Sequence, residues 1–223
     1  MNILALDAST EYCSVALWRD GETEALGERA GQRHSELLLP MADRLLARHG
    51  LRVKALDGIA FGQGPGSFTG LRIACGLAQG LAFGAGLPVV GVGTLAAMAE
   101  ACGAARVVCA LDARMGEVYL AAYSRAGEGW GTVQEPMVCA PPEAPELPAG
   151  SWVGCGGGFA ALGGALERRY AGRLARVEPG IAPHAREIAR LAARELEQGR
   201  AQPAQRAAPL YLRDKVALRM DER

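Results

Sequence analysis

The chain has no surplus of charge of either sign: Lys and Arg together number 24 and Asp and Glu 24 among 223 residues. Gripping nucleic acid unaided takes a basic surplus that displaces counterions from phosphates. Any RNA in this protein's work is therefore expected to be held by another chain. No apolar run approaches the ~20 residues that span a bilayer. The first residues read as a strand rather than a leader, so a cytoplasmic protein is expected. Six cysteines, at 13, 75, 102, 109, 139 and 155, include no C-x-x-C pair and none spaced to a histidine. They read as reduced, buried apolar side chains rather than as disulfides or metal ligands. A Gly-Lys-Ser/Thr loop is also missing, and His34 is followed four residues later by Leu38, so no His-x-x-x-His pair exists. Neither a metal site nor a catalytic residue is predicted for this chain alone.

What is present suits a globular α/β protein with one large or two modest cores, at 50% hydrophobic and 22% charged residues. Asn2 to Ala8 is a continuous apolar run that ends in Asp7-Ala8-Ser9-Thr10, and strands follow at Ser14 to Trp18 and Glu22 to Glu28 across an Asp20-Gly21 turn. The first corner places a carboxylate and two hydroxyls at a strand's carboxyl end. It reads either as a phosphate-facing loop or as a local Asx/ST turn.

A helix from about Glu36 to His49 carries Leu38, Met41 and Leu45 on one face, with Pro40 in its first turns and His34 at its start or at an interface. After a strand ending at Phe61, the run Gly64-Pro65-Gly66-Ser67-Phe68-Thr69-Gly70 turns into a helix from about Thr69 to Gly84. Its head offers unpaired N–H groups, a seat for an anion or a partner's acidic group. Gly76, Gly80 and Gly84 recur every four residues along this helix. Interior glycines cost about 1 kcal/mol each against Ala, so the ridge calls for close packing by another backbone, within the fold or between chains. Pro88 to Val92 reads as a strand and Thr94 as the cap of a short helix ending at Cys102.

The pattern then recurs. Ala110-Leu111-Asp112-Ala113 repeats Ala5-Leu6-Asp7-Ala8, and Val153-Gly154-Cys155-Gly156-Gly157-Gly158-Phe159 repeats the strand and glycine turn around Phe61 to Phe68. Two related halves follow, residues 1–103 and 104–208, with a tail at 209–223 that folds back through Leu210, Tyr211, Leu212, Val216 and Leu218. The second half looks reduced: residues 136–150 hold five prolines where the first half has a helix. Its last helix, opened by Pro183, carries Arg186, Arg190 and Arg194 as a stripe that is either a solvated face or a surface for an acidic or RNA partner.

Two such halves with an aspartate at the first corner resemble the actin/Hsp70/sugar-kinase (ASKHA) superfold, in which a nucleotide lies between the halves. Ile3-Leu4-Ala5-Leu6-Asp7-Ala8-Ser9-Thr10, His34-Ser35-Glu36, Gly62-Gln63-Gly64-Pro65-Gly66-Ser67-Phe68-Thr69-Gly70-Leu71-Arg72 and Tyr211-Leu212-Arg213 are similar to the bacterial TsaB (YeaZ) family, strongly to about residue 100 and weakly beyond. The resemblance implies a non-catalytic subunit of the machinery that forms N6-threonylcarbamoyladenosine at position 37 of tRNAs reading ANN codons. It implies a platform for TsaD, which performs the transfer with a histidine-held metal, alongside the ATPase TsaE. ATP and metal would then sit on those partners, and tRNA would be met only through the complex. The family's dimerising helix pair maps to Leu38, Met41, Leu45, Gly76, Gly80 and Gly84, candidates for a contact with TsaD or, in isolation, a second copy. Asp7, Ser9, Thr10, Gly64, Gly66, Ser67 and Thr69 become a vestigial phosphate loop. A stand-alone ATPase or small-molecule kinase, with Asp7, Ser9, Ser67 and Thr69 around the phosphates and Asp112 opposite, is the first alternative. A metallopeptidase lacks the required ligand spacing.

Overall fold

The computed structural model describes residues 1–213. Strands β1 (Asn2–Asp7), β2 (Tyr12–Arg19) and β3 (Glu22–Arg29) form the expected meander. Helix α1 (His34–Arg48) follows, then β4 (Gly58–Gly64), α2 (Phe68–Ala85), β5 (Pro88–Gly93) and α3 (Thr94–Cys102). Strand β4 lies parallel to β1 and β5 parallel to β4.

The second series repeats this ladder. Strands β6 (Arg106–Arg114), β7 (Glu117–Ala126) and β8 (Gly129–Cys139) form a meander, and β9 (Trp152–Cys155) and β10 (Leu174–Glu178) add parallel strands. Between β8 and β9, where the first series has the 15-residue α1, there is only a 3-10 turn at Pro141–Glu143, as the prolines there dictate. Between β9 and β10 a 3-10 turn and the five-residue α4 (Ala165–Arg169) stand in place of α2. Helix α5 (Ala185–Glu197) and the short β11 (Gln202–Pro203) complete two mixed sheets, ordered β11-β5-β4-β1-β2-β3 and β10-β9-β6-β7-β8.

The two closing helices are exchanged. Helix α3, at the end of the first series, buries Leu95, Met98 and Ala99 against Val107, Cys109 and Tyr123 of the second sheet. Helix α5, at the end of the second, buries Ile188, Ala189 and Ala192 against Ile3, Ala5, Ala16 and Ala60 of the first sheet. Strand β11 likewise extends the first sheet by pairing with β5. Residues 185–206 therefore pack on the first sheet, although they follow the second in the chain. A helix's periodicity marks which side is apolar and leaves open which sheet receives it.

Two local expectations change. Thr94 is not a cap: its hydroxyl donates to the Pro65 carbonyl, and Gly93 holds the cap position. Pro40 is the seventh residue of α1 rather than part of its first turn, so the Glu36 carbonyl loses its usual donor. The tail lies back on the body, Leu210 N donating to the Gln63 carbonyl and Tyr211 stacking beside Phe68, with both side chains partly exposed; Val216 and Leu218 lie outside the described residues.

Candidate functional site

The first candidate is the corner where β1 meets the head of α2. Asp7 is fully buried at the end of β1. One carboxylate oxygen accepts from the Ser9 hydroxyl at 3.1 Å, and the other has no partner. Burial pushes the Asp7 carboxyl up to about 7, against the opposing pull of the Ser9 hydrogen bonds. The room for its free oxygen comes from Gly62 on the neighbouring strand, where an added Cβ would collide with it.

The glycine run is approached closely by the chain's own backbone. Ser67 N donates to the Ser9 carbonyl at 2.7 Å, and the Ser67 hydroxyl accepts from Gly70 N, capping α2. A Cβ at Gly66 would strike the Ser9 carbonyl, and one at Gly70 the Ala8 carbonyl. The glycines thus let the head of α2 sit directly on the backbone of the first corner. Gly64, at φ +125°, is covered by the carbonyl of Leu210 in the tail.

The remaining loop residues are separately engaged. Thr10 accepts from Tyr12 N through its hydroxyl and from His34 Nε2 through its carbonyl, so His34 anchors the start of α1. Thr69 is exposed on the first turn of α2. Asp112, the counterpart of Asp7, accepts from the backbone and guanidinium of Arg114. Of the other histidines, His49 pairs with Glu24, and His184 caps α5 through Nδ1. No group of three or more His, Cys, Asp or Glu suited to a metal ion occurs among the described residues, and no helix among them is long and apolar enough to cross a membrane.

The second candidate is the outer face of α2. This helix buries Ala74, Ala78 and Ala82 against the sheet and turns Gly76, Gly80 and Gly84 outward. Nothing lies within 4 Å of where a Cβ would stand at any of these three glycines. Packing by the described residues is therefore not what these glycines serve. Phe83, 65% exposed, flanks the ridge, and Arg72 is the one charged residue in the 18-residue helix. The α1 candidates behave otherwise. Leu38, Met41 and Leu45 are no more than 4% exposed and sit in the core formed with β1, β2 and α2. They hold α1 in place and cannot themselves be offered to a partner; Leu39, 40% exposed, is on the outward side of that helix.

Sequence reasoning missed two features: the space that Gly62 leaves for Asp7, and a cluster of Phe68, Arg72 and Tyr211 at the head of α2. The signals were a glycine inside a buried strand and the Phe68, Arg72 and Tyr211 of the two characteristic runs.

Known proteins match the whole chain. The family model described as TsaD: tRNA N6-adenosine threonylcarbamoyltransferase matches residues 26–219. The tRNA threonylcarbamoyladenosine biosynthesis protein TsaB of Escherichia coli K12 is 40% identical across 97% of this chain and 96% of its own length. That of Haemophilus influenzae is 40% identical across 97% and 95%. YeaZ from Pseudomonas aeruginosa superposes with a TM-score of 0.87 at 38% identity, covering 95% of this chain and 99% of that one. With two mixed sheets in the ASKHA-type arrangement and this similarity from end to end, the chain belongs to the TsaB (YeaZ) family.

Proposed function

We propose that this chain is a non-catalytic scaffold subunit in the formation of N6-threonylcarbamoyladenosine at position 37 of tRNAs reading ANN codons, acting in the cytoplasm by binding and supporting the catalytic subunit TsaD. The observation that carries this reading is the outward glycine ridge of α2. Three exposed glycines weaken a helix by about 1 kcal/mol each, and among the described residues nothing packs against them. A helix of a partner laid along the ridge would approach closely, backbone against backbone, as in a helix bundle. The closed corner at Asp7 supports the division of labour, with ATP and the metal ion carried by TsaD and TsaE and tRNA met through the assembly. In isolation the same face joins a second copy. The shortened connections of the second series agree with a half that has lost its nucleotide-binding role.

Reconstitution of the tRNA modification from purified components is the test, with full modification in the absence of this chain refuting the proposal. Gly80→Leu supplies the residue-level check. Its side chain meets open space, so the isolated chain should stay folded and gain about 0.8 kcal/mol of helix propensity. Its affinity for TsaD, measured by calorimetric titration, should fall at least about tenfold.

A further inference from the structure

We infer that Arg72 is a prebuilt receptor for a carboxylate of the partner protein, placed at the end of the glycine ridge and clamped there by the tail. The inference rests on the scaffold reading above. The Arg72 guanidinium lies 3.7 Å from the Phe68 ring centroid and 5.7 Å from that of Tyr211. The two rings are 5.4 Å apart, and Arg72 Nε donates to the Tyr211 hydroxyl at 2.8 Å. Among the described residues, the two terminal nitrogens of Arg72 have no hydrogen-bond or ion-pair partner. The other arginines at this junction are committed: Arg213 pairs with Glu117 and reaches the Arg114 carbonyl, and Arg114 pairs with Asp112.

The surroundings are those of an interface. Of the eight exposed large apolar side chains among the described residues, Phe68 at 39% and Tyr211 at 42% flank the guanidinium, and Leu210 at 38% precedes Tyr211 in the tail. Further along the tail, Arg213 Nη1 touches the Met115 sulfur at 3.2 Å. The patch continues along α2 into the glycine ridge of Gly76 and Gly80. A guanidinium already oriented by two rings and a hydroxyl loses little freedom on binding, and its free edge presents the fork that matches a carboxylate. The occupant is a protein surface bearing an Asp or Glu ringed by apolar side chains, on the catalytic subunit.

The test is titration of the full chain with TsaD at two salt concentrations. Arg72→Gln should weaken binding about tenfold to a hundredfold and reduce the salt dependence, with an unchanged thermal midpoint for the isolated, exposed site. Arg72→Lys should rescue little, because it keeps the charge without the fork. Tyr211→Phe, which removes only the orienting hydroxyl, should give an intermediate loss. Wild-type affinity in Arg72→Gln overturns the inference while the scaffold reading stands. So does loss of self-association alone, which would put the carboxylate on a second copy. If a chain ending at Arg213 no longer feels the Arg72→Gln change, the carboxylate is the chain's own and the inference fails. A wild-type chain that does not bind TsaD overturns the scaffold reading and this inference with it.

Discussion

Asp7→Asn is expected to remove a fall in stability that the native chain shows between about pH 4 and pH 7, so that the two stability curves cross. In the folded chain Asp7 keeps its proton to about pH 7, against 3.8 for a solvated aspartate. Between those values the native state holds a proton that the unfolded state has released. Stability is therefore greatest below the unfolded value, declines as pH rises through the window, and levels off above about 7. The decline amounts to roughly 3–5 kcal/mol. The substituted amide keeps an acceptor for the Ser9 hydroxyl and cannot ionise, but its NH2 group stands unpaired where the free oxygen was, which costs about 1–3 kcal/mol at every pH. The variant should thus be the less stable protein at pH 4 and the more stable one at pH 8. His184 acts in the opposite sense. Burial lowers it to about 4, so its contribution is lost as pH falls from 6.5 towards that value. Subtracting the Asp7→Asn curve from the native curve cancels this effect. Urea unfolding at a series of pH values measures the difference, and a difference that does not vary with pH would show that Asp7 is ionised throughout.

Gly70→Ala should be among the most damaging single-methyl additions available to the chain. The new Cβ would fall well inside contact distance of the Ala8 carbonyl. That carbonyl belongs to the backbone leaving β1, so no side-chain rotation relieves the clash. Either α2 must lift from the corner or β1 must shift, and each breaks the hydrogen bond from Ser67 N to Ser9. A loss of about 3 kcal/mol or more is expected, lowering the thermal midpoint by roughly 6–12 °C in a chain of this size. Gly76→Ala, further along the same helix, adds the same methyl to open space and should raise stability by about 1 kcal/mol. Scanning calorimetry of the two variants separates the roles. Equal effects would mean that the helix head does not rest on the corner as described.

How far these features could be read in advance depended on what kind of information carries them. The meanders and their recurrence were legible because the apolar runs, the Asp20-Gly21 turn and the paired Leu-Asp-Ala corners are local. The glycine ridge was legible as an anomaly, since no isolated helix favours glycine every fourth residue, but its direction was not. Gly76 faces outward because Ala74 and Ala78 take the sheet side, a choice settled only by packing. Leu38, Met41 and Leu45 show the reverse error. Their spacing marks an apolar face, and an apolar face that meets its own sheet looks the same in sequence as one that meets a partner. The glycines at 66 and 70 carry a related ambiguity. Glycine permits close approach, and a group that approaches these two is the chain's own Ala8–Ser9 backbone.

The exchange of α3 and α5 sets the order in which the protein can be completed on the ribosome. Ile3, Ala5, Ala16 and Ala60 are synthesised early, yet the helix that covers them begins only at Ala185. At about 5–20 residues per second, that face of the first sheet waits for several seconds with only the Ala97 side of α3 to cover it. A fragment ending at Gly103 would lack α5 on this face and would leave Leu95, Met98 and Ala99 of α3 without the second sheet they pack on. Gln202 and Pro203, which extend the first sheet, and Leu210 and Tyr211, which cover Gly64 and hold Arg72, are made after α5, so a partner that reads this surface recognises only chains synthesised at least as far as Tyr211.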